Sequence, residues 1–356
     1  MGSNGHAWGN ERILTFLKEG RRLHKILVEK SSDRSFPPPR FISCWISEWC
    51  NCDCSYCFFS ETNADKTHGY IDAKKFLSWL LEAKDAGAEA IEFSGGGEPT
   101  LHPDFQDIYE DAWAMGYHLG LITHACNPMP LEDMVQQFKY IRCGLDAATA
   151  VTHDAIKRNK RKNYWFYKAI ENIKELVRLR DHKDPGCEPN KFTVGIKIIL
   201  NMINCHELGA MIDMAADLKV DYIQIKHEHS SDNAIDGNRL DDLQHLADIK
   251  GNFMAESRTK ILCSLSRQQA TVKCFMSPIH TVVTATGKIL QCCFFESRPI
   301  GTIFQSFSEV WGGRQHRAVI EQTTVEECSR IDCRWHYYNY RMREIIEDPL
   351  VSASFI

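Results

Sequence analysis

Hydrophobic and polar positions along the middle of the chain follow two periods that predict strands and helices in turn. Short apolar runs predict strands over residues 41–47, 90–93, 117–122, 140–145, 192–200 and 222–226. Between them, apolar residues at helical spacing predict helices over 73–86, 105–115, 131–138, 165–179 and 208–218. Such alternation implies a parallel sheet with right-handed crossovers. A full or partial TIM-like barrel and an open doubly wound sheet both satisfy this order.

The pattern changes on both sides of this α/β region. Residues 11–29 have apolar residues at helical spacing, which predicts a lead-in helix, and Pro37–Pro39 end the loop that follows. Residues 232–251 are polar, and residues 281–292 have the form of a hairpin with Gly287 in its turn. We therefore expect three units: a helical lead-in over 1–40, an α/β region over 41–230, and a linker with a small second domain over 231–356.

Composition and charge exclude several classes of protein. Of the 356 residues, 44% are hydrophobic and 25% are charged, so the chain is neither disordered nor collagen-like. The net charge of −5 gives no basic excess for broad nucleic-acid binding. The sequence shows neither a secretory signal nor an apolar span, so we expect a cytoplasmic protein without membrane contact. In that reducing compartment, the 15 cysteines are more often metal ligands, nucleophiles or core residues than disulfides.

The densest group of cysteines follows the first predicted strand. Cys50, Cys52, Cys54 and Cys57 lie on one predicted loop, so their thiolates can face a single inorganic centre. Soft thiolates select iron–sulfur clusters, zinc or Cu(I). The spacing of Cys50, Cys54 and Cys57 offers three ligands to a [4Fe–4S] cluster and leaves one iron free for a substrate or cofactor. Buried or incidental thiols are the alternative.

A second motif, Gly95-Gly96-Gly97-Glu98-Pro99, follows the second predicted strand. Glycines let the backbone approach a ligand closely and adopt a positive φ. The Glu98 carboxylate can accept hydrogen bonds from an ammonium group. A plain strand-to-helix turn is the alternative, and a phosphate loop is excluded because no Lys with a following Ser or Thr comes after the glycines.

Together the two motifs resemble those of the radical S-adenosylmethionine (SAM) enzymes over roughly residues 40–230. The resemblance implies a partial (β/α)6 barrel in which Cys50, Cys54 and Cys57 hold a [4Fe–4S] cluster at the barrel mouth. The free iron of this cluster would bind the methionine part of SAM. The same resemblance implies the cofactor-binding residues Tyr56, Gly95, Gly96, Gly97 and Glu98.

The C-terminal part resembles the SPASM/twitch branch of that family. Cys274, Gly287 and Cys292 have the spacing of its opening motif, C-x(9–15)-G-x(4)-C. The resemblance implies a small C-terminal cysteine-rich, twitch-like domain with a second, auxiliary [4Fe–4S] cluster. Its ligands would be Cys274, Cys292, Cys328 and Cys333. Cys293 is an alternative to Cys292, and a structural zinc ion on the same cysteines is the rival interpretation.

Residues that follow the carboxyl ends of parallel strands line the active site of a barrel. The candidates for substrate binding or proton transfer are therefore His124, Asp146, Lys197 and His229, with Asn201, Lys226, His227 and Glu228 as further members of the group. A solvated loop residue is the alternative for each. We expect the basic run 157–162 to be a solvated loop and the aromatic, basic segment 334–341 to pack on the auxiliary domain.

The resemblance implies an oxidoreductase or a related radical enzyme. Reductive cleavage of SAM would give a 5′-deoxyadenosyl radical that abstracts hydrogen, with oxidation, epimerisation or rearrangement as the net result. An auxiliary cluster beside the substrate favours oxidation. We expect a polar small molecule rather than a peptide, since only about 40 residues precede the first strand, and an electron donor such as flavodoxin or ferredoxin. The alternatives are a peptide-modifying maturase and, from another class, a zinc-binding scaffold or interaction protein.

Overall fold

The structure is a computed structural model, and it describes most of the α/β region and the C-terminal part of the chain. The described residues are 36–59, 69–158, 163–182, 192–228, 233–266 and 269–347. The lead-in helix expected over 11–29 and residues 159–162 of the basic run lie outside them. His229, one of the candidate catalytic residues, also lies outside them.

The six predicted strands are present and form the centre of one sheet, which confirms the α/β prediction. They are β1 (Phe41–Cys44), β2 (Ala90–Phe93), β3 (His118–Thr123), β4 (Phe138–Gly144), β5 (Thr193–Leu200) and β6 (Tyr222–His227). Each strand pairs in parallel with the next one along the chain. Their carboxyl ends therefore meet at one edge, where the loops that bear the two motifs begin.

Helices connect the strands and cover one face of the sheet. They are α1 (Ala73–Asp85), α2 (Phe105–Ala114), α3 (Leu131–Gln137), α4 (Ala150–Lys157), α5 (Tyr164–Asp181) and α6 (Leu208–Asp217). Of these six helices, only α4 was not predicted. The Thr149 side chain accepts a hydrogen bond from the backbone N–H of Thr152 and caps the start of α4.

The sheet continues beyond β1 and β6 into the part of the chain that follows. The further elements are α7 (Gly237–Phe253), β7 (Lys260–Cys263), β8 (His280–Val283), β9 (Lys288–Leu290), β10 (Pro299–Thr302), α8 (Phe307–Val310), α9 (Arg314–Gln322), α10 (Val325–Ser329) and α11 (His336–Glu347). Strand β7 pairs in parallel with β6, and β8 pairs in parallel with β1. The expected hairpin is β8–β9, with Gly287 at φ +78° in its turn. It belongs to the same ten-stranded sheet as the α/β region.

Successive side chains along each strand point to opposite faces of the sheet, one apolar and the other polar. Ile91 and Phe93 of β2, with their counterparts on the other strands, are buried in the main hydrophobic core. The opposite face, which we call the barrel interior, carries polar residues such as Glu92 of β2. A Cβ atom at Gly195 would lie 2.2 Å from the ring of Tyr222, so this glycine makes room for an interior tyrosine.

The C-terminal segment packs as a second small core. Phe275, Met276, Ile279 and Met342 are buried there around Trp335, which is 7% exposed. Trp335 and Tyr338 of the aromatic, basic segment 334–341 thus pack on the part of the chain where we expected that segment. No helix within the described ranges is long and apolar enough to cross a membrane.

Candidate active site

The four clustered cysteines lie on a loop that is fixed to helix α4. This cysteine loop, residues 50–57, follows β1, and its backbone N–H groups at Asp53 and Ser55 donate to the carbonyl oxygens of Lys157 and Ile156, both at 2.9 Å. Cys50 is exposed, Cys54 and Cys57 are half-buried, and Cys52 is buried. The three cysteines with the expected spacing are therefore more accessible than the fourth.

The thiols of the cysteine loop are close to each other and free of disulfides. A hydrogen bond from the Cys52 thiol lowers the pKa of Cys54 to about 7. No three His, Cys, Asp or Glu side chains of the described ranges converge on a position for one metal ion. In a [4Fe–4S] cluster each cysteine binds a different iron, so the sulfur atoms need not meet at one point. Soft thiolate donors such as those of this loop suit an iron–sulfur cluster or a zinc ion.

A buried ion pair lies beside the cysteine loop and holds Tyr56. The Tyr56 hydroxyl donates to Oδ2 of Asp146 at 2.6 Å, and Nζ of Lys157 lies 2.7 Å from the same oxygen. The backbone N–H of Ile199 donates to Oδ1 of Asp146 at 2.8 Å. Asp146 is 1% exposed and Lys157 is 2% exposed. The carboxylate therefore ties the loop, helix α4 and strand β5 together.

Burial and charge have opposite effects on this ion pair. Burial alone would raise the pKa of Asp146, but Lys157 and Tyr56 outweigh it and hold that pKa below its usual range. Burial would lower the pKa of Lys157, and the negative charge of Asp146 raises it instead. Burial, with Asp146 nearby, raises the pKa of the Tyr56 hydroxyl. At neutral pH the pair is thus charged, and Tyr56 is a neutral donor.

These contacts change the interpretation of two residues. We expected Asp146 to act in catalysis, and the contacts that the structure shows for its oxygens, with Tyr56, Lys157 and Ile199, hold the cysteine loop in place. We expected Lys157 to lie in a solvated basic run, and this was wrong because its ammonium neutralises a buried carboxylate. A run of cations gives no sign in the sequence that one member points inward.

The glycine turn packs directly on the chain that leads into the cysteine loop. The N–H of Gly97 donates to the Ser47 carbonyl at 2.6 Å, and the N–H of Glu98 donates to the Trp49 carbonyl at 2.7 Å. Gly95 has φ +59°, and a Cβ there would lie 2.2 Å from Nε1 of Trp45. A Cβ at Gly97 would lie 2.1 Å from the Trp49 carbonyl oxygen. The glycines are needed for this close packing as well as for any approach of a ligand.

Replacing Gly97 by alanine is expected to destabilise the protein by about 1–3 kcal/mol, because the new methyl group overlaps backbone atoms that cannot move aside cheaply. The matched control is Gly237→Ala at the start of α7, where a Cβ meets nothing within 4 Å. Thermal unfolding of both variants measures the difference. A Gly97→Ala protein as stable as the control would contradict the packing described.

Glu98 is buried within the turn and its carboxylate is largely occupied. Oε1 accepts from the hydroxyl groups of Thr100 at 2.8 Å and Thr123 at 2.6 Å. Oε2 accepts from the backbone N–H of His124 at 3.0 Å. A carboxylate has about four acceptor positions, two on each oxygen. Oε2 therefore keeps capacity for one more donor, such as the ammonium group that we expected it to bind.

His124 joins the glycine turn to the cysteine loop. Its Nδ1 accepts from the backbone N–H of Cys126 at 3.0 Å, so Nε2 carries the hydrogen and donates to Oδ1 of Asn51 at 2.7 Å. Burial lowers the pKa of His124, which keeps the ring neutral. Asn127 accepts from Nδ2 of Asn51 and donates to the Thr100 hydroxyl, both at 2.8 Å. These hydrogen bonds close a circuit through Glu98 that holds His124 between the glycine turn and the cysteine loop.

The remaining candidates lie around the barrel interior. Lys197 of β5 is half-buried, and burial together with the charge of Arg142 lowers its pKa to about 8. Nδ2 of Asn201 lies 3.1 Å from Oε2 of Glu228 and 3.4 Å from the Ser55 hydroxyl. Asn201 and Glu228 therefore lie beside the cysteine loop, as their positions after β5 and β6 predicted.

The four C-terminal cysteines line one pocket of about 490 Å³, counted with the space open to solvent. They are Cys274, Cys292, Cys328 and Cys333. Cys293 is absent from this lining and packs instead against the small group formed by Trp45, Val282 and Leu290. Asn339 lies beside the pocket, with Nδ2 3.7 Å from the Cys274 sulfur and Oδ1 accepting from two backbone N–H groups. The structure thus brings together cysteines that are distant in sequence.

Comparison with known proteins agrees with the motifs. Residues 46–184 match the Radical SAM superfamily. A curated "Probable GTP 3′,8-cyclase" of Saccharolobus islandicus is 27% identical over 202 residues, which are 55% of this chain and 59% of that protein. The tungsten-containing aldehyde ferredoxin oxidoreductase cofactor-modifying protein of Pyrococcus furiosus is 24% identical over 192 residues, 51% of this chain and 49% of that protein. The matched part thus covers 59% of the length of the first relative and 49% of the second.

Solved structures share the fold. SuiB of Streptococcus suis bound to S-adenosylmethionine superposes with a TM-score of 0.64 at 14% identity, over 85% of this chain and 72% of SuiB. Native anSMEcpe with bound AdoMet gives a TM-score of 0.62 at 15% identity, over 83% of this chain and 87% of that protein. At such identities the likeness shows the fold alone.

Proposed function

We propose that this chain, which carries a radical SAM superfamily domain at residues 46–184, is a radical SAM enzyme. One observation supports the proposal above all others: the cysteine loop and the glycine turn form a single hydrogen-bonded unit at the carboxyl edge of a parallel sheet. Asn51 of the loop is joined to Glu98 of the turn through His124 on one side and through Asn127 and Thr100 on the other.

In this proposal Cys50, Cys54 and Cys57 hold a [4Fe–4S] cluster, and the glycine turn with Glu98 receives the methionine part of SAM. When bound, the cluster supplies the electron that cleaves SAM to methionine and a 5′-deoxyadenosyl radical. The residues of this chain supply position. Tyr56, held by the buried carboxylate of Asp146, fixes the loop between its second and third ligand.

A polar small molecule is the substrate class that we propose, with oxidation, epimerisation or rearrangement as the net reaction. The polar barrel interior supports it, and so does the name of the matched relatives, probable GTP 3′,8-cyclase. A peptide is the second candidate, because a structure with the same fold is titled as SuiB bound to its precursor peptide SuiA. We propose a flavodoxin or ferredoxin as the electron donor.

The C-terminal pocket is proposed to hold an auxiliary [4Fe–4S] cluster on Cys274, Cys292, Cys328 and Cys333. Two observations support this assignment: all four line one pocket, and Asn339 is placed to donate to the Cys274 sulfur. Hydrogen bonds to cysteine sulfur are among the features that set the potential of a bound cluster. Cys292 is preferred over Cys293 because only Cys292 is part of the lining.

Replacing the four pocket cysteines together by alanine is expected to halve the iron content of the anaerobically reconstituted protein, from about eight irons per chain to about four. Reductive cleavage of SAM should persist, because the cysteine loop is untouched. The matched control is Cys293→Ala, a neighbouring cysteine outside the pocket, which should keep about eight irons. Quantification of iron and acid-labile sulfide measures both.

Other iron contents would lead to different conclusions. About four irons in the wild type, unchanged in the quadruple variant, would remove the auxiliary cluster and leave the radical site in place. Zinc without iron in the wild type would overturn the proposed enzyme and favour the zinc-binding scaffold.

A further inference from the structure

Charged side chains form a connected group inside the barrel. Nη2 of Arg142 on β4 lies 3.0 Å from Oε2 of Glu92 on β2, and Nη1 donates to Oε1 of Gln224 on β6 at 2.6 Å. Each contact reaches across an intervening strand. The residues crossed are Gly120, which pairs with Glu92, and Gly195, which pairs with Arg142. A Cβ at Gly120 would lie 2.4 Å from the Tyr140 ring and a Cβ at Gly195 would lie 2.2 Å from the Tyr222 ring, so both glycines make room for tyrosines of the barrel interior.

Two more cations reach the same group. Lys197 lies on β5 and pairs with Gln224 of β6. Its ammonium makes no hydrogen bond or ion pair with any residue that the structure describes. Two cations, Arg142 and Arg334, and two carboxylates, Asp146 and Glu92, are near enough to affect its pKa. Arg334 comes from the segment after the last pocket cysteine, and its Nη2 lies 3.8 Å from Oε1 of Glu92.

The charges of this group do not balance. Three cations, Arg142, Lys197 and Arg334, share the single carboxylate of Glu92, since the nearby Asp146 is already held by its own lysine. Burial and the repulsion from Arg142 lower the pKa of Lys197 to about 8. Nε of Arg142 is also buried without an acceptor among the described residues. If Arg334 is assigned to the thiolates of the neighbouring pocket, the Lys197 ammonium still lacks a counterion.

We propose that the barrel interior binds an oxyanion of the substrate, a carboxylate or a phosphate, through Lys197 and the free Nε of Arg142. A buried cation without a partner is costly, and an anionic ligand removes that cost. This inference rests on the proposed function, because only an enzyme has a substrate. The barrel interior lies between the cysteine loop and the cysteine pocket, so a ligand bound there would lie beside both. The inference deepens that function by naming the charge that the substrate carries.

Isothermal titration calorimetry on the anaerobically reconstituted protein tests the proposal, with inorganic pyrophosphate and malonate as the probes at about 0.15 M KCl. This salt concentration screens exposed basic residues more than buried ones. Neither SAM nor a reductant is present. We expect saturable binding of at least one probe, weakened about tenfold or more in Lys197→Met, in line with the loss of a charge-assisted hydrogen bond.

Two matched variants separate charge from structure. Lys197→Arg keeps the cation and is expected to bind within a few-fold of the wild type. Lys288→Met removes an exposed lysine from β9 of the same sheet and should leave the affinity unchanged. Binding of pyrophosphate alone assigns a phosphate-bearing ligand, binding of malonate alone assigns a carboxylate, and binding of both assigns recognition by charge. If neither probe binds, or if Lys197→Met binds as tightly as the wild type, the proposal is overturned.

The titration is independent of radical chemistry, so it distinguishes failure of this inference from failure of the proposed function. Anion binding in a protein that does not cleave SAM would support the interior site and contradict the enzyme. SAM cleavage in a protein whose interior binds neither probe would support the enzyme and contradict the interior site. Thermal unfolding in the presence of each probe gives a second readout, since a ligand of the native state raises the transition temperature.

Discussion

Replacing Cys50, Cys54 and Cys57 together by alanine is expected to reduce the formation of 5′-deoxyadenosine from SAM to background and to remove about four irons per chain. The physical reason is that no thiolate of the proposed site remains. The fold should survive, because Cys50 is exposed and the other two are half-buried, so little packing is lost. Anaerobic incubation with dithionite and SAM, followed by chromatography of the products, measures the activity.

Cys52→Ala is the matched control for this triple variant. Cys52 belongs to the same loop and its thiol contacts those of its neighbours, yet it lies outside the proposed ligand set. We expect it to keep its iron and its ability to cleave SAM. Cleavage that persists in the triple variant, or an equal loss in Cys52→Ala, would contradict the assignment of the three ligands.

Lys157→Met is expected to cost about 3–5 kcal/mol of folding free energy, because it leaves the Asp146 carboxylate buried without its counterion. Methionine keeps much of the length of the side chain, so the change acts through charge rather than volume. Tyr56 would lose part of its anchor at the same time, and iron retention should fall with it. Urea unfolding of the reconstituted protein measures the free energy, and iron quantification after gel filtration measures retention.

The double variant Asp146→Asn/Lys157→Met should recover much of that loss. It buries no net charge, and the side-chain oxygen of asparagine still accepts from the Ile199 N–H. The control for an ordinary lysine is Lys168→Met on α5, where the partner Glu171 is 71% exposed and the cost should stay below about 1 kcal/mol. If Lys157→Met costs no more than Lys168→Met, the buried pair does not have the role described.

Most of the fold could be predicted from local patterns, and the remainder depends on long-range pairing. Strand β2 has the bounds predicted for it, because its apolar run ends at the glycine turn. Strand β7 was not predicted, and it is recognised as a strand by its parallel pairing with β6. The place of the β8–β9 hairpin in the sheet is set by the pairing of β8 with β1, which no local pattern encodes.

The candidate site shows the same division. The cysteines and glycines could be located because their chemistry depends on close spacing in the chain. The contacts that hold the cysteine loop in place could not be predicted. Lys157 and Tyr56, for example, are 101 positions apart and meet only in the folded chain. Asn51 and Asn127 gave no signal at all, since amides are common in loops. His124 was predicted from its place after β3, and its hydrogen bonds to Asn51 and Cys126 are seen only in the folded chain.

The most direct test of the central claim is the response of the reduced protein to SAM. The anaerobically reconstituted wild type is reduced with dithionite, and its electron paramagnetic resonance spectrum is recorded before and after SAM is added, while 5′-deoxyadenosine and methionine are quantified. A radical SAM enzyme predicts an iron–sulfur signal that SAM alters, with both products formed in equal amounts. A protein that contains zinc but no iron–sulfur signal and leaves SAM intact would contradict the proposed function.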